Sequence, residues 1–320
     1  MISRRRLGRT GLEISPIGQG VMQFAGGHGV MRYLYPGLSA SQMNGIVKTA
    51  LDQGINWFDT AEWYGKGRSE QGLARGLKAA GLGNGDALVA TKWWPLFRRA
   101  SNMRRSIEER LRYLEGFNID LFQVHQPWSF SSPEAEMQVM ADLVEAGQIR
   151  AVGVSNFSAL RMRRAHAALA TRGLPLASNQ VHYSLVDRDI ERNGILQAAK
   201  ELGMTIICWS PLNSGLLSGR YHRDPAAMDS VPRGRQMGFR RKIEKSRPLV
   251  EALHEIASAH GVTIAQVALN WLINFHGDTV VAIPGATRPQ QVEENAAAMT
   301  FTLSGQEMSR IDEVSSQIGA

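Results

Sequence analysis

The sequence has a single cysteine, Cys208, among its 320 residues. A lone thiol excludes a disulfide framework and any zinc site built on paired cysteines. No apolar run approaches the ~20 residues that cross a bilayer as a helix. The opening Met1-Ile2-Ser3-Arg4-Arg5-Arg6 is basic. No apolar core of ~7–15 residues follows it, so neither a secretory leader nor an anchor is expected. No low-complexity tract, long repeat or composition break marks an internal boundary. What is present is an ordinary globular balance of 43% hydrophobic and 20% charged residues. That composition is far from a disordered chain's. These readings predict a cytoplasmic protein folded as one domain over residues 1–320, with no membrane partner.

Negative charge is in short supply: 29 Asp+Glu face 36 Lys+Arg, a net of +7. Such an excess suits nucleic acid or small anionic ligands. The basic residues are scattered, and no RNP motif, helix-turn-helix pattern or basic heptad appears, which argues against nucleic acid. The exception is the cluster Arg233-Gly234-Arg235 with Arg240-Arg241-Lys242.

Residues 6–14 read as a small hairpin. Beyond them, short apolar runs alternate with amphipathic stretches. Strands are predicted at 17–20, 55–59, 87–91, 119–125, 149–154, 177–181, 204–209 and 279–283. Helices are predicted at 41–53, 68–80, 101–115, 133–146, 158–171, 189–202, 246–275 (split near Gly261), 289–298 and 304–316. Met103, Ile107, Leu111 and Leu114 give one helix a buried face. Ser132-Pro133 and Ser246-Arg247-Pro248 look like N-caps followed by early proline. Gly54, Gly147 and Gly203 fall where C-caps favour glycine. Alternating strand and helix implies a parallel sheet with right-handed crossovers. Eight units predict an α/β fold, a (β/α)8 TIM barrel with an N-terminal hairpin, a long loop after strand seven and extra C-terminal helices. The competing doubly wound sheet usually opens with GxGxxG, whereas here Gly18-Gln19-Gly20 lacks the third glycine. The stretch 213–245, rich in Gly, Pro, Ser and Arg, is predicted to be the long loop, and loops that long are usually functional.

A barrel carries its chemistry at the C-terminal ends of its strands. Asp59, Lys92 and His125 end predicted strands two, three and four, and Tyr64 lies just past Asp59. Each alone has an ordinary structural reading; together they suggest proton donation by a tyrosine. A phenol titrates near 10, and a lysine ammonium beside it would lower that value. Asp59 would hold the ammonium, and His125 would orient the reacting oxygen.

Longer motifs identify a relative. Phe58-Asp59-Thr60-Ala61-Glu62-Trp63-Tyr64-Gly65, running on to Ser69-Glu70, resembles the FDTAxxYG…SE signature of the aldo-keto reductase superfamily. Asp120-Leu121-Phe122-Gln123-Val124-His125 is similar to its DLxxxH strand, and 147–157 to its GKIRxxGVSNF segment. Asn179-Gln180, Trp209-Ser210-Pro211-Leu212 and Ile283-Pro284-Gly285 extend the resemblance along the chain. The IPG form is similar to the branch that includes potassium-channel β subunits and bacterial reductases.

The resemblance implies a catalytic tetrad of Asp59, Tyr64, Lys92 and His125 and an extended NADP(H), with NAD(H) as the alternative cofactor. Ser155, Asn156 and Gln180 would hold the nicotinamide carboxamide, and Trp209 would stack on the ring. Ser210, Pro211, Leu212, Gly215, Leu216 and Arg220 would follow the pyrophosphate. Ile283, Gly285, Thr287, Arg288, Gln291, Glu294 and Asn295 would take the adenosine end. Some branches carry Lys and Arg where Gly285 and Gln291 stand, so the preference for NADP falls on Arg288 at a helix start. Read from the residues alone, barrel packing is the lesser alternative for Trp209 and Gln180, and a solvated side chain the lesser alternative for Arg288.

The basic stretch 233–242 reads either as a cationic flap over a phosphate, hinged at Gly234 and Gly238, or as a solvated loop. Phe24, Trp63, Trp93 and Trp128, with Trp94 and Tyr33, are candidates for an apolar pocket receiving a small-molecule carbonyl substrate. His182 is read as structural or pocket-lining, and no metal site is expected. The function so implied is NADPH-dependent reduction of an aldehyde or ketone. The alternative is an NADP(H)-binding regulatory subunit of the channel β type with little turnover.

Overall fold

The computed structural model of the chain describes residues 2–27, 35–230 and 233–318. Two strands of the N-terminal hairpin, β1 (Arg5–Arg6) and β2 (Glu13–Ile14), pair antiparallel. Eight parallel strands follow: β3 (Gln19–Gly20), β4 (Trp57–Asp59), β5 (Leu88–Trp93), β6 (Leu121–Val124), β7 (Ala151–Ser155), β8 (Leu176–His182), β9 (Thr205–Trp209) and β10 (Val280–Ala282). Neighbours in sequence are neighbours in the sheet. The ring closes where Ile17 bridges Ala282 and Gly20 bridges Gly285, with Gly18 N–H donating to the Ala282 carbonyl at 2.8 Å. This is the expected (β/α)8 barrel.

Side chains alternate across a strand, so every second residue points inward. Trp57, Ala90, Leu121, Ala151, Ile207 and Val281 form an apolar layer inside the barrel, and Leu7, Leu12 and Ile14 of the hairpin plug it from below. Two residues further along β4, β5 and β6 stand Asp59, Lys92 and Gln123, all buried. The interior thus changes from apolar to polar in one step up the strands. The outward set, including Phe58, Val89, Phe122, Val152 and Ile206, packs against the surrounding helices.

Those helices are α1 (Ala40–Asp52), α2 (Arg68–Ala79), α3 (Asn102–Tyr113), α4 (Pro133–Glu145), α5 (Ala159–Ala170), α6 (Asp189–Arg192), α7 (Ile195–Leu202), α8 (Arg220–Arg223), α9 (Arg233–His260), α10 (Ile264–Asn274), α11 (Pro289–Ala297) and α12 (Gly305–Ser316). Ser132 caps α4 by accepting from Ala135 N–H, with Pro133 in the first turn, as expected. The predicted helix 189–202 is broken at Gly194, whose φ of 84° leaves the helical region.

The largest correction concerns 213–245. A 3₁₀ turn at Leu216–Ser218, α8, a second 3₁₀ turn at Pro225–Ser230 and the start of α9 occupy most of that stretch. Ser246-Arg247-Pro248 is therefore no N-cap. Ser246 Oγ donates back to the Lys242 carbonyl at 2.7 Å within the helix. The physical reason is packing: Ile243 is buried against Leu216 and Met228, and Phe239 meets Tyr221 edge-on at 4.9 Å. That apolar face outweighs the local preferences of Gly238 and Pro248 for loop. The basic cluster accordingly lies on a helix, and Gly234 and Gly238 are helical positions, not hinges.

Candidate active site

Seven described non-glycine residues have positive φ, and six of them, Lys66, Phe97, Asn156, Ser210, Asn213 and Ser214, lie on loops that follow barrel strands. Backbone strain of this kind collects where structure is set for function. It marks the rim above the polar interior layer.

At that rim the Lys92 ammonium donates to Asp59 Oδ1 and, at 2.9 Å, to the Thr60 carbonyl. Neither side chain of this ion pair reaches solvent. The second Asp59 oxygen accepts from Gln180 Nε2 at 2.8 Å and from Gln123 Nε2 at 3.3 Å. Lys92 Nζ lies 5.1 Å from the centre of the Tyr64 ring, and His125 meets that ring edge-on at 5.7 Å. The four residues singled out in the sequence are thus brought together.

Their electrostatics differ from expectation in one respect. Burial and the Asp59 carboxylate hold the Tyr64 phenol well above its usual value, so the expected lowering by Lys92 is reversed. Burial lowers Lys92 despite Asp59. Burial and then the Lys92 charge push His125 well below the ordinary imidazole range. Its Nδ1 is buried with no hydrogen-bond partner among the described residues. At neutral pH the arrangement holds a protonated phenol beside a neutral imidazole.

The neighbouring strand ends carry the remaining polar residues. Ser155 Oγ donates to the Gln180 carbonyl at 2.8 Å. Asn156 donates to the His125 carbonyl at 3.3 Å, and its Oδ1 accepts from Trp209 Nε1 at 3.2 Å. The Trp209 indole is 37% exposed and stacks on His182 at 4.4 Å. His182 in turn pairs with Asp187 at 2.6 Å. After Trp209 the backbone passes through left-handed values at Ser210, Asn213, Ser214 and Gly215. The N–H groups of Asn213, Gly215, Leu216 and Leu217 donate to the carbonyls of Ser210, Leu212, Asn213 and Leu212, so the turn is held by its own backbone.

Opposite, Arg288 is the exposed N-cap of α11, and its side chain does not cap the helix. Thr287 donates through its N–H and its hydroxyl to Gln291 Oε1, at 2.8 and 3.1 Å. The Gln291 side-chain carbonyl oxygen thus helps to hold the turn. At Gly285 the Gln23 amide fills the space a side chain would take, lying 2.1 Å from where a Cβ would stand, so a larger residue there would have to displace Gln23. Asn295 is buried, whereas Glu294 and Arg220 are exposed. The Gln23 Oε1 atom is buried without a hydrogen-bond partner. An open indole face, a left-handed turn and a helix start with an exposed guanidinium could together hold an extended dinucleotide. Among the described residues no cluster of metal-ligating side chains exists.

Several expected residues prove to be core. Trp93 is fully buried and donates to Asn102 Oδ1 at 3.1 Å, on the outward face of β5. Its neighbour Trp94 is instead half-buried at the rim, meeting His125 at 5.2 Å and Trp128 at 5.9 Å and stacking on Trp63 at 5.3 Å. Phe24 is buried against Gly72. Pro211, Leu216 and Ile283 are buried too, leaving Leu212 partly open. Tyr33 lies outside the described residues. Sequence reading missed Gln123, although it stands two residues before His125 in the inward register, and Glu62, two residues before Tyr64.

Comparison with known proteins agrees with this fold. Residues 16–316 match the Aldo/keto reductase family. An uncharacterized oxidoreductase of Mycobacterium tuberculosis is 36% identical over 301 residues, covering 92% of this chain and 87% of the relative. Chloroplastic pyridoxal reductase of Arabidopsis thaliana is 33% identical over 314 residues, 94% of this chain and 83% of its own length. Among solved structures, a thermostable aldo-keto reductase in complex with the inhibitor epalrestat superposes with a TM-score of 0.78 at 32% identity, covering 98% of this chain and all of that one. Barrel fold and sequence agree, and the chain belongs to the aldo/keto reductase family.

Proposed function

We propose that this member of the family reduces an aldehyde or ketone to an alcohol, with NADPH as cofactor and Tyr64 as general acid. NADPH, when bound, supplies the hydride. The chain's own residues position the carbonyl and deliver the proton. Tyr64 is suited to that delivery because it is held protonated at neutral pH. The neutral His125 ring, edge-on to it, orients the carbonyl oxygen toward the phenol. As the proton leaves, the buried Lys92 ammonium stabilises the phenolate that forms, and Asp59 keeps that ammonium in place. Because the Lys92–Asp59 pair is buried, its charge is little screened and acts strongly on the phenolate. The observation that carries the reading is this buried Lys92–Asp59 pair under the ring of Tyr64.

Ser155, Asn156 and Gln180 would hold the carboxamide end of the cofactor, and Trp209 would lie against its ring. Arg288 supports the choice of NADPH over NADH, since an exposed guanidinium at a helix start suits a 2′-phosphate. A Schizosaccharomyces pombe relative, 32% identical, is named for NADP(+), which supports the same choice.

The test is reduction of a panel of small aldehydes and ketones with NADPH and with NADH. Tyr64→Phe should lower kcat by about 10²–10⁴ while leaving NADPH binding, read by fluorescence titration, unchanged. A Tyr64→Phe enzyme with near-normal turnover ends the mechanism. Arg288→Ala should weaken NADPH roughly tenfold or more and leave NADH within about twofold. Equal effects on both cofactors would remove Arg288 from the phosphate site.

A further inference from the structure

Glu62 sits between Ala61 and Trp63, two residues before Tyr64, and its side chain is only 12% exposed. One carboxylate oxygen accepts from the Trp94 backbone N–H at 2.9 Å and from Ser106 Oγ at 3.1 Å. The other accepts from Arg98 Nη1 at 2.6 Å, with Arg110 Nη1 at 3.6 Å. Ser106 and Arg110 are buried residues of α3. The backbone of Glu62 is itself tied down, its N–H donating to the Lys92 carbonyl at 3.1 Å. One side chain therefore joins the loop after β4, the loop after β5 and helix α3.

What those loops carry is aromatic. Trp63 and Trp94 stack at 5.3 Å with 29° between their planes. The edge of Trp94 meets His125, and Trp128, half exposed, adds a third indole. An indole on a loop has two rotatable side-chain bonds and a mobile backbone. It makes a recognition surface only if something fixes that backbone. Among the described side chains near this wall, Glu62 is the one whose hydrogen bonds reach the Trp94 main chain.

We infer that Glu62 is a positioning residue. It fixes Trp63 and Trp94 as a rigid wall beside Tyr64 and His125, and that wall selects carbonyl compounds bearing a flat aromatic ring. The inference rests on the reductase reading above for its substrate, but not for the hold of Glu62 on the indoles. Aromatic rings pair face-offset or edge-on with indoles, whereas a saturated ring of the same size offers no π face.

The experiment compares benzaldehyde with cyclohexanecarboxaldehyde, with NADPH, in wild type, Glu62→Gln and Glu62→Ala. The far-ultraviolet exciton couplet of the stacked indoles is recorded for each. Wild type should favour benzaldehyde by KM. Glu62→Ala should raise the benzaldehyde KM about tenfold with kcat within about twofold, and Glu62→Gln, which keeps the shape, about threefold. The cyclohexanecarboxaldehyde KM should stay within about twofold, and the couplet should weaken in the same order. Folded variants with an unchanged ratio and couplet would falsify the inference. Should Glu62→Ala not fold, Glu62→Gln decides. If wild type reduces neither aldehyde, the reductase reading has failed, and with it the substrate class. The couplet then still decides whether Glu62 holds the wall.

Discussion

At the residue scale, environment rather than identity decides what a titrating group does. Sequence placed Lys92 near Tyr64 and suggested an acidified phenol. In the fold, burial and Asp59 win, and the phenol is held protonated. The same rule governs Glu136, which is fully buried at the start of α4 and whose Oε1 accepts from Ser129 Oγ at 2.5 Å. Burial raises its carboxyl from 4.5 to about 7, against the opposing pull of Ser129 and Arg161. Between those two values the folded chain keeps a proton that the unfolded chain releases, so this group's contribution to stability falls as pH rises through the window. Glu136→Gln removes the dependence and keeps an acceptor for Ser129. The variant should gain about 2–4 kcal/mol relative to wild type between pH 4.5 and pH 8. Urea unfolding at both pH values checks this, and a pH-independent difference would refute it. None of this was legible in the sequence, because desolvation depends on neighbours that only the fold brings in.

At the element scale, legibility followed the source of each element's stability. Strands and most helices were readable, because their apolar period is local in the chain and the barrel buries what the period marks. Ser132 and Pro133 announced α4 correctly, since a cap acts within one turn. The first half of α9 was not readable. Its residues look like loop, and what holds them helical is contact with Leu216, Met228 and Tyr221, which come from elsewhere. Trp93 failed for a related reason: adjacent residues of the chain face opposite ways here, so Trp93 goes to the core while Trp94, named beside it, faces His125. Helix α9 still carries the local conflict. Pro248, exposed in its interior, cannot donate the bond that residue 248 would give to the carbonyl of Glu244. Pro248→Ala restores that bond and should stabilise the protein by about 1–3 kcal/mol, seen as a rise in Tm. An unchanged or lower Tm would mean that the surrounding packing had already absorbed the cost.

At the scale of the whole molecule, the barrel interior separates stability from chemistry along its axis. The lower layer is apolar and plugged by Leu7, Leu12 and Ile14, and the layer above it is polar and holds Asp59, Lys92 and Gln123. The positive charge has a similar division. Part of it is neutralised inside, as at Lys92, and part stays exposed at the rim, as at Arg288, where a phosphorylated dinucleotide could use it. Barrels tolerate change in one end because the strands between are rigid. Leu12→Ala tests this division. The side chain is 5% exposed beneath the apolar layer, so its truncation removes contacts and leaves a cavity far from the rim. The expected cost is about 2–4 kcal/mol of unfolding free energy. Carbonyl reduction by the folded enzyme should keep kcat and KM within about twofold, because a 1.4 kcal/mol shift at the rim would already read as tenfold. Denaturant melts and steady-state kinetics on the same preparation decide the matter. A loss of kcat in step with the loss of stability would show that the plug and the rim are mechanically coupled, and that the polar layer depends on the hairpin for its geometry.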